Sequence, residues 1–273
     1  VILANTLKSG GAEKQSLLLA NALHPEFEPL LIVYYGNEYD EKFRDYAMQS
    51  SIKVLWLKGS HLSKLIKLYH LFRKNKNAVI FSYLATTNLI NGLIGWFSGV
   101  KFRIGGIRNE KLSTQKFLIQ RFLHNHLFTC TVFNNYKGKE NLGKRGFRLD
   151  KSEVIHNCIE SDMPQKQNIE KNSVIVITSL GRFVEQKDYF TALDSISLLQ
   201  EKRKKLNPEV RIRYDIGGYG ILEPEIRNYI KIKNLNQIVS LSINPPDISK
   251  FLSHGHIFLS TSLFEGLSNS IME

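Results

Sequence analysis

The sequence predicts an α/β chain of two domains, each built on a parallel, doubly wound sheet. Three observations carry this expectation. Short apolar, β-branched runs alternate with longer segments of helical apolar spacing along the whole chain. Glycine-rich turns stand repeatedly between a strand-like run and a helix-like one, the place where such sheets bind ligands. A length of 273 residues is enough for two hydrophobic cores.

Residues 1–4 read as a buried strand, followed by a helix over about 12–23 and a second strand over 29–35. In the segment 62–74, Leu62, Leu65, Ile66, Tyr69 and Phe72 recur at helical spacing, flanked by Lys64, Lys67, Arg73 and Lys74. A strand at 78–83, a helix at 88–97, a strand at 102–106, an amphipathic helix at 112–127 and a strand at 129–133 follow. A short strand at 153–156 closes the first domain, placed at residues 1–160. Residues 161–173 are polar, carry Pro164 and read as a linker. The second domain, 174–273, repeats the rhythm. A β-branched central strand at 174–180 leads to a helix at 190–204, a strand at 210–216, a helix at 222–233 and a strand at 239–241. A helix–strand pair at 248–252 and 257–260 comes last. The sequence starts without methionine and stops where another helix should begin, so the second domain is expected to be incomplete.

Composition removes several classes. A hydrophobic content of 42% and a charged content of 23% exclude wholesale disorder. The most apolar window, 84–100, is interrupted by Asn88 and Asn91 and by glycine and serine, so no membrane-spanning helix is predicted. Two cysteines, Cys130 and Cys158, are too few for a disulfide framework or a zinc site; they point to a reducing compartment and are expected to be small buried hydrophobes. The net charge of +12 lies entirely in residues 1–150, which hold 22 Lys+Arg against 10 Asp+Glu; residues 151–273 hold 15 of each. Such a first half suits an anionic membrane surface, a phosphorylated substrate or nucleic acid. His61, His70, His124, His126, His254 and His256 belong to no motif and read as surface or core residues.

Four loops carry the chemistry. Ser9-Gly10-Gly11-Ala12-Glu13 lets backbone approach a ligand ahead of a helix N-terminus. Gly181-Arg182-Phe183-Val184-Glu185-Gln186-Lys187-Asp188 puts two cations five residues apart above the second sheet, suited to a diphosphate without a metal. Gly217-Gly218-Tyr219-Gly220 is another glycine-rich turn from strand to helix. Finally, Glu265-Gly266-Leu267-Ser268-Asn269-Ser270-Ile271-Met272-Glu273 sets two acids eight apart around a turn whose amides and carboxylates suit sugar hydroxyls and phosphate.

In this order, and with Val154-Ile155-His156-Asn157-Cys158-Ile159 at the domain junction, the motifs resemble the GT-B glycosyltransferases, specifically the retaining family 4 that uses nucleotide-sugar donors. The resemblance implies two Rossmann-like domains facing a cleft, with the donor bound mainly by the second. It implies that Arg182 and Lys187 neutralise the donor diphosphate in place of a metal, so no metal or other cofactor is expected. Glu273 would bond the nucleotide ribose, and Glu265 would face the donor sugar beside Gly266, Leu267 and Ser268. Gly10 and Gly11, with Gly218 and Gly220, would approach the donor. The loop Gly106-Ile107-Arg108-Asn109-Glu110 resembles the version in members that build bacterial capsule, O-antigen and related surface glycans, so Arg108 is expected to touch donor or acceptor. Cys158, Tyr219 and Ser242 depart from the usual pattern and leave the nucleobase open.

The implied reaction transfers a sugar from a nucleoside diphosphate, UDP by preference, to a lipid-linked or growing surface glycan. A polyprenyl-diphosphate-linked acceptor and peripheral association with the cytoplasmic leaflet fit the basic first half and its helices at 62–74 and 112–127. The rivals are a nucleotide-sugar epimerase of the same fold and a non-catalytic sugar-nucleotide-binding subunit. A nucleic-acid binder ranks last, because the aromatic residues show no recognition pattern and half the chain carries no excess charge.

Overall fold

The computed structural model describes residues 1–8, 10–24, 26–108, 112–159 and 174–273, which form two compact units, Val1–Cys158 and Ile159–Glu273. The predicted linker 161–173, along with Ser9, Asn109 and Glu110 of the predicted loops, lies outside the described residues.

Unit 1 is a parallel sheet of seven strands: β1 (Ile2–Ala4), β2 (Leu30–Val33), β3 (Lys53–Trp56), β4 (Val79–Ser82), β5 (Phe102–Ile107), β6 (Cys130–Phe133) and β7 (Ser152–Val154). Their order is β3-β2-β1-β4-β5-β6-β7, so the winding reverses between β1 and β4. The helices are α1 (Gly11–Leu23), α2 (Glu41–Gln49), α3 (His61–Lys74), α4 (Ala85–Phe97), α5 (Thr114–Phe122) and α6 (Tyr136–Gly143). Strand alternation divides the core. Ile2, Leu31 and Val33 pack with Leu17, Ala20 and Ala47 of α1 and α2, whereas Leu3, Ile32 and Ile80 pack with Leu68, Phe72 and Ile90 of α3 and α4. The α3 stripe Leu65, Leu68 and Phe72 faces that second cluster, and the Ser60 hydroxyl caps the helix by accepting from the Ser63 amide.

A buried polar network fixes the carboxyl end of β5. The Asn88 amide donates to Gly106 O at 3.0 Å and to Gln120 Oε1 at 2.7 Å, and its oxygen accepts from the Ser82 hydroxyl at 2.7 Å. These bonds tie α4 and α5 to the last residues of β5, two positions before Arg108.

Three elements were not anticipated from the sequence: α2, β3 and α6. The predicted helix over 112–127 is divided, with α5 giving way to a π-helical turn at Leu123–Leu127. That turn carries His124 into the core against Phe133 and Phe147. The His124 ring is fully buried; Nε2 donates to Arg148 O at 2.8 Å, and Nδ1 has no partner among the described residues. Burial lowers its pKa below the usual histidine value. Below a pH of about 6.5 the unfolded chain takes up a proton that the folded ring resists. Stability of unit 1 is therefore expected to fall as pH drops from about 6.5 towards the folded-state value. Urea titrations across this range check it, and His124→Phe should flatten the slope.

Unit 2 is a parallel sheet of β8 (Val174–Leu180), β9 (Arg211–Gly218), β10 (Val239–Ile243) and β11 (Ile257–Phe258), ordered β10-β9-β8-β11. Its helices are α7 (Tyr189–Leu206), α8 (Glu223–Ile232), α9 (Ile248–Ser253) and α10 (Asn269–Met272). The core joins Ile177, Tyr214 and Ile216 to Leu193, Ile196, Ile226 and Ile230. Among the described residues no helix is long and apolar enough to cross a membrane.

Candidate functional site

In unit 2 the carboxyl ends of β8, β9 and β11 converge on one group of loops. Phe183 is fully buried, with its ring edge-on to Tyr189 at 5.2 Å, and this anchor leaves Arg182 exposed beside it. The segment then makes a 3-10 turn at Glu185–Lys187, and Asp188, in a left-handed conformation, caps α7 by accepting from the Thr191 amide and hydroxyl. The stem of Lys187 lies across Gly181. Its ammonium meets Glu265 Oε1 at 2.5 Å, with only 16% and 24% of the two side chains exposed.

The β11 loop is joined to the β8 loop by further bonds. Gln186 Nε2 donates to Phe264 O at 2.8 Å, the Leu263 amide donates to Gln186 O at 2.9 Å, and the Thr261 hydroxyl donates to Asp188 O at 2.8 Å. Glu265 is thus delivered to Lys187 by the backbone as well as by charge. Burial, with Tyr214 and then Glu265 nearby, pushes the Tyr189 phenol well above its usual range, so its hydroxyl stays protonated and donates to Gly181 O at 3.0 Å.

This geometry changes one expectation. The sequence presented Arg182 and Lys187 as two cations on an open loop. Lys187 is instead half of an ion pair, whereas Arg182 makes no ion pair among the described residues. An ammonium has three donors, so Lys187 can hold Glu265 and still offer N–H groups to a phosphate.

Gly218 and Gly220 also have a structural explanation. The Gly181 amide donates to Gly217 O at 3.0 Å, and the Phe183 amide donates to Tyr219 O at 2.7 Å. A Cβ on Gly218 would stand 1.9 Å from Gly181 O, and one on Gly220 would stand 2.4 Å from Phe183 O. The two loops therefore pack backbone against backbone, which requires glycine whether or not a ligand is present. Gly266, Leu267 and Ser268 lead into α10, where the Ser268 and Ser270 hydroxyls lie 3.0 Å apart, and Glu273 follows its last residue.

Unit 1 has a small pocket at the carboxyl ends of β4 to β7, next to the point where the strand order reverses. It is lined by Gln15, Tyr83, Arg108, Asn134, His156 and Asn157, among others. Arg108 Nη2 donates to Asn157 Oδ1 at 2.6 Å, and the guanidinium lies 5.6 Å from the Tyr83 ring centroid. Burial lowers the Arg108 pKa, opposed by Tyr83, Glu13 and Cys158; the group remains a cation. Gln15 clamps the junction motif, donating to Cys158 O at 2.6 Å and accepting from the Cys158 amide at 3.0 Å. Cys158 is exposed, contrary to the expectation that both cysteines are buried; Cys130 is half-buried. At the Gly10-Gly11 turn the atom nearest a Cβ on Gly10 would be Glu13 Oε2 at 2.3 Å, the movable end of a side chain. Backbone packing does not account for Gly10 as it does for Gly218 and Gly220. Gln15 and Tyr83 were not singled out from the sequence, because nothing local marks them.

The fold is that of the GT-B glycosyltransferases, with two Rossmann-like domains. The structure of Anabaena HepE in complex with UDP-glucose superposes with a TM-score of 0.79 at 14% identity, over 97% of this chain and 74% of that one. The lipopolysaccharide outer core galactosyltransferase WaaB, in its apo form, gives 0.70 at 15%, over 99% and 76%. Among curated sequences, an uncharacterized glycosyltransferase of Methanocaldococcus jannaschii is 30% identical over 141 residues, which is 52% of this chain and 32% of the relative. The GalNAc-alpha-(1->4)-GalNAc-alpha-(1->3)-diNAcBac-PP-undecaprenol alpha-1,4-N-acetyl-D-galactosaminyltransferase of Campylobacter jejuni is 24% identical over 276 residues, 98% of this chain and 74% of that protein. The match thus spans about a third of the first relative and about three quarters of the second. No family model matches the chain.

Proposed function

We propose that this chain is a retaining glycosyltransferase of the family 4 kind, moving a sugar from a UDP-sugar to a lipid-linked or growing surface glycan. The observation that carries the reading is the ion pair between Lys187 and Glu265 beside exposed Arg182, at the carboxyl end of the β8 sheet. HepE, which binds UDP-glucose, and the C. jejuni relative, whose name specifies an undecaprenol-PP-linked glycan, support the donor and acceptor classes.

In this proposal Arg182 and Lys187 hold the donor diphosphate. They stabilise negative charge as the bond between sugar C1 and phosphate oxygen breaks. The acceptor hydroxyl oxygen bonds C1 on the same face, and its proton passes to the departing phosphate, so a nucleoside diphosphate leaves. Glu265 orients the Lys187 ammonium and faces the sugar, while Gly266, Leu267 and Ser268 lie near sugar and phosphate. Glu273 bonds the ribose. Gly10, Gly11 and Arg108 supply the contacts of unit 1, and no metal is required. Peripheral membrane association through the excess positive charge of residues 1–150 accompanies the lipid-linked acceptor. Flotation with anionic vesicles at low salt tests that association, and a protein that stays at the bottom of the gradient removes it.

The direct test of the function is a panel of nucleoside diphosphate sugars scored by thermal stabilisation and by product analysis with a polyprenyl-diphosphate glycan, with and without EDTA. One UDP-sugar should raise the melting temperature and yield an α-linked product in EDTA. A changed donor sugar without acceptor would indicate an epimerase. Donor binding without turnover would indicate a binding subunit.

A further inference from the structure

We propose that Lys64, His61 and the rings of Tyr34 and Tyr35 form an oxyanion site at the carboxyl edge of β2 and β3 that takes a phosphoryl group. Lys64, in the second turn of α3, is 7% exposed, and among the described residues its ammonium makes no hydrogen bond or ion pair. It lies 5.0 Å from the Tyr34 ring centroid and 5.1 Å from that of Tyr35. Two aromatic faces offset part of the cost of taking an ammonium out of water, and an anion would offset the rest. The nitrogen is absent from the fully enclosed, unpartnered polar atoms, so a side remains open to solvent.

The rings around Lys64 contact one another, and among the described residues no Asp or Glu pairs with it. The Tyr34 hydroxyl lies 3.0 Å from His61 Nδ1, and the His61 ring stacks on Tyr34 at 5.8 Å and stands edge-on to Tyr35 at 6.0 Å. Burial raises the Tyr34 pKa, so its hydroxyl stays protonated beside Nδ1. His61 lies on the same helix face as Lys64 three residues on, and in the tautomer that accepts from Tyr34 its N–H is at Nε2. Between Asp45 and Glu110 the sequence has no Asp or Glu. On the β2–α2 connection, Glu38 pairs with Lys8 at 2.8 Å and Asp40 accepts from the Lys42 amide at 3.0 Å. An ammonium with three donors beside an imidazole N–H matches the several acceptor oxygens of a phosphoryl group.

The oxyanion site stands independently of the transferase reading; only its assignment to an acceptor phosphate rests on that reading. The test is 13C-tyrosine NMR of the full chain titrated with inorganic phosphate, farnesyl diphosphate, and vesicles of phosphatidylcholine with or without phosphatidylglycerol. The Tyr34 and Tyr35 signals, assigned with Tyr→Phe variants, should shift saturably with phosphate and at lower concentration with farnesyl diphosphate. Lys64→Met should weaken binding by about tenfold or more, whereas Lys64→Arg retains it. A response to farnesyl diphosphate but not to phosphatidylglycerol assigns an acceptor diphosphate; a response confined to phosphatidylglycerol vesicles and to phosphate assigns a lipid headgroup. Absence of saturable shifts, or a folded Lys64→Met with wild-type affinity, overturns the site. Should Lys64→Met fail to fold, loss of binding in Lys64→Gln with Lys64→Arg still binding decides the matter. Phosphate binding without sugar transfer would sink the transferase reading and leave the site standing.

Discussion

Alanine at both 182 and 187 is expected to lower sugar transfer by about 10³-fold or more, with donor affinity reduced and the fold retained. The magnitude follows from removing two preorganised cations from a developing diphosphate charge. The single variants should differ. Arg182 is exposed and makes no ion pair among the described residues, so Arg182→Ala should leave stability unchanged. Lys187→Ala strands Glu265 in a site where three quarters of its side chain is covered, so it should lower the melting temperature as well as turnover. Glu265→Gln retains a hydrogen-bond acceptor for Lys187 and should restore most of the stability but not the rate. Transfer assays and thermal melts of the four proteins check this set. A double variant within tenfold of the parent rate would remove the cation loop from the mechanism.

Gly218→Ala should destabilise unit 2 by about 3 kcal/mol, at the upper end of overpacking costs, because the new Cβ meets a backbone carbonyl that no rotamer change can clear. For a unit of this size the melting temperature should fall by more than about 10 °C. Gly59→Ala is the control: φ there is +102°, but the nearest atom would be 3.5 Å away, so only backbone strain of about 1 kcal/mol applies. If calorimetry finds both variants equally mild, the close packing of the loops at 181–183 and 217–220 is not as described. Gly10→Ala displaces a flexible Glu13 carboxylate, and its stability cost should be small.

The sequence made some elements plain and concealed others for physical reasons. β8 was legible because Val174-Ile175-Val176-Ile177 is an unbroken β-branched run. β3 is the edge of its sheet and only half-buried, so its pattern is weak. α2 buries little beyond Ala47, and α6 contains Gly138 and Gly143, which argue locally against a helix although Leu142 is fully buried. The site divides in the same way. Its loops were visible as glycines and charges after strands, but its contacts were not. Lys187 and Glu265 are 78 residues apart, and Arg108 and Asn157 are 49 apart. Such pairings follow from sheet order, which spacing along the chain does not encode.

Because Glu265 already balances Lys187, the cation loop offers a polyanion the charge of Arg182 rather than that of two bare cations. Free phosphate, ATP and other polyanions should therefore be held weakly, and raising ionic strength should inhibit less than two bare cations would imply. In the proposed function, a donor would gain the second cation only by fitting well enough to share it. Under the proposed function, the Lys187–Glu265 pair would thus act as a filter on which diphosphates reside long enough to react.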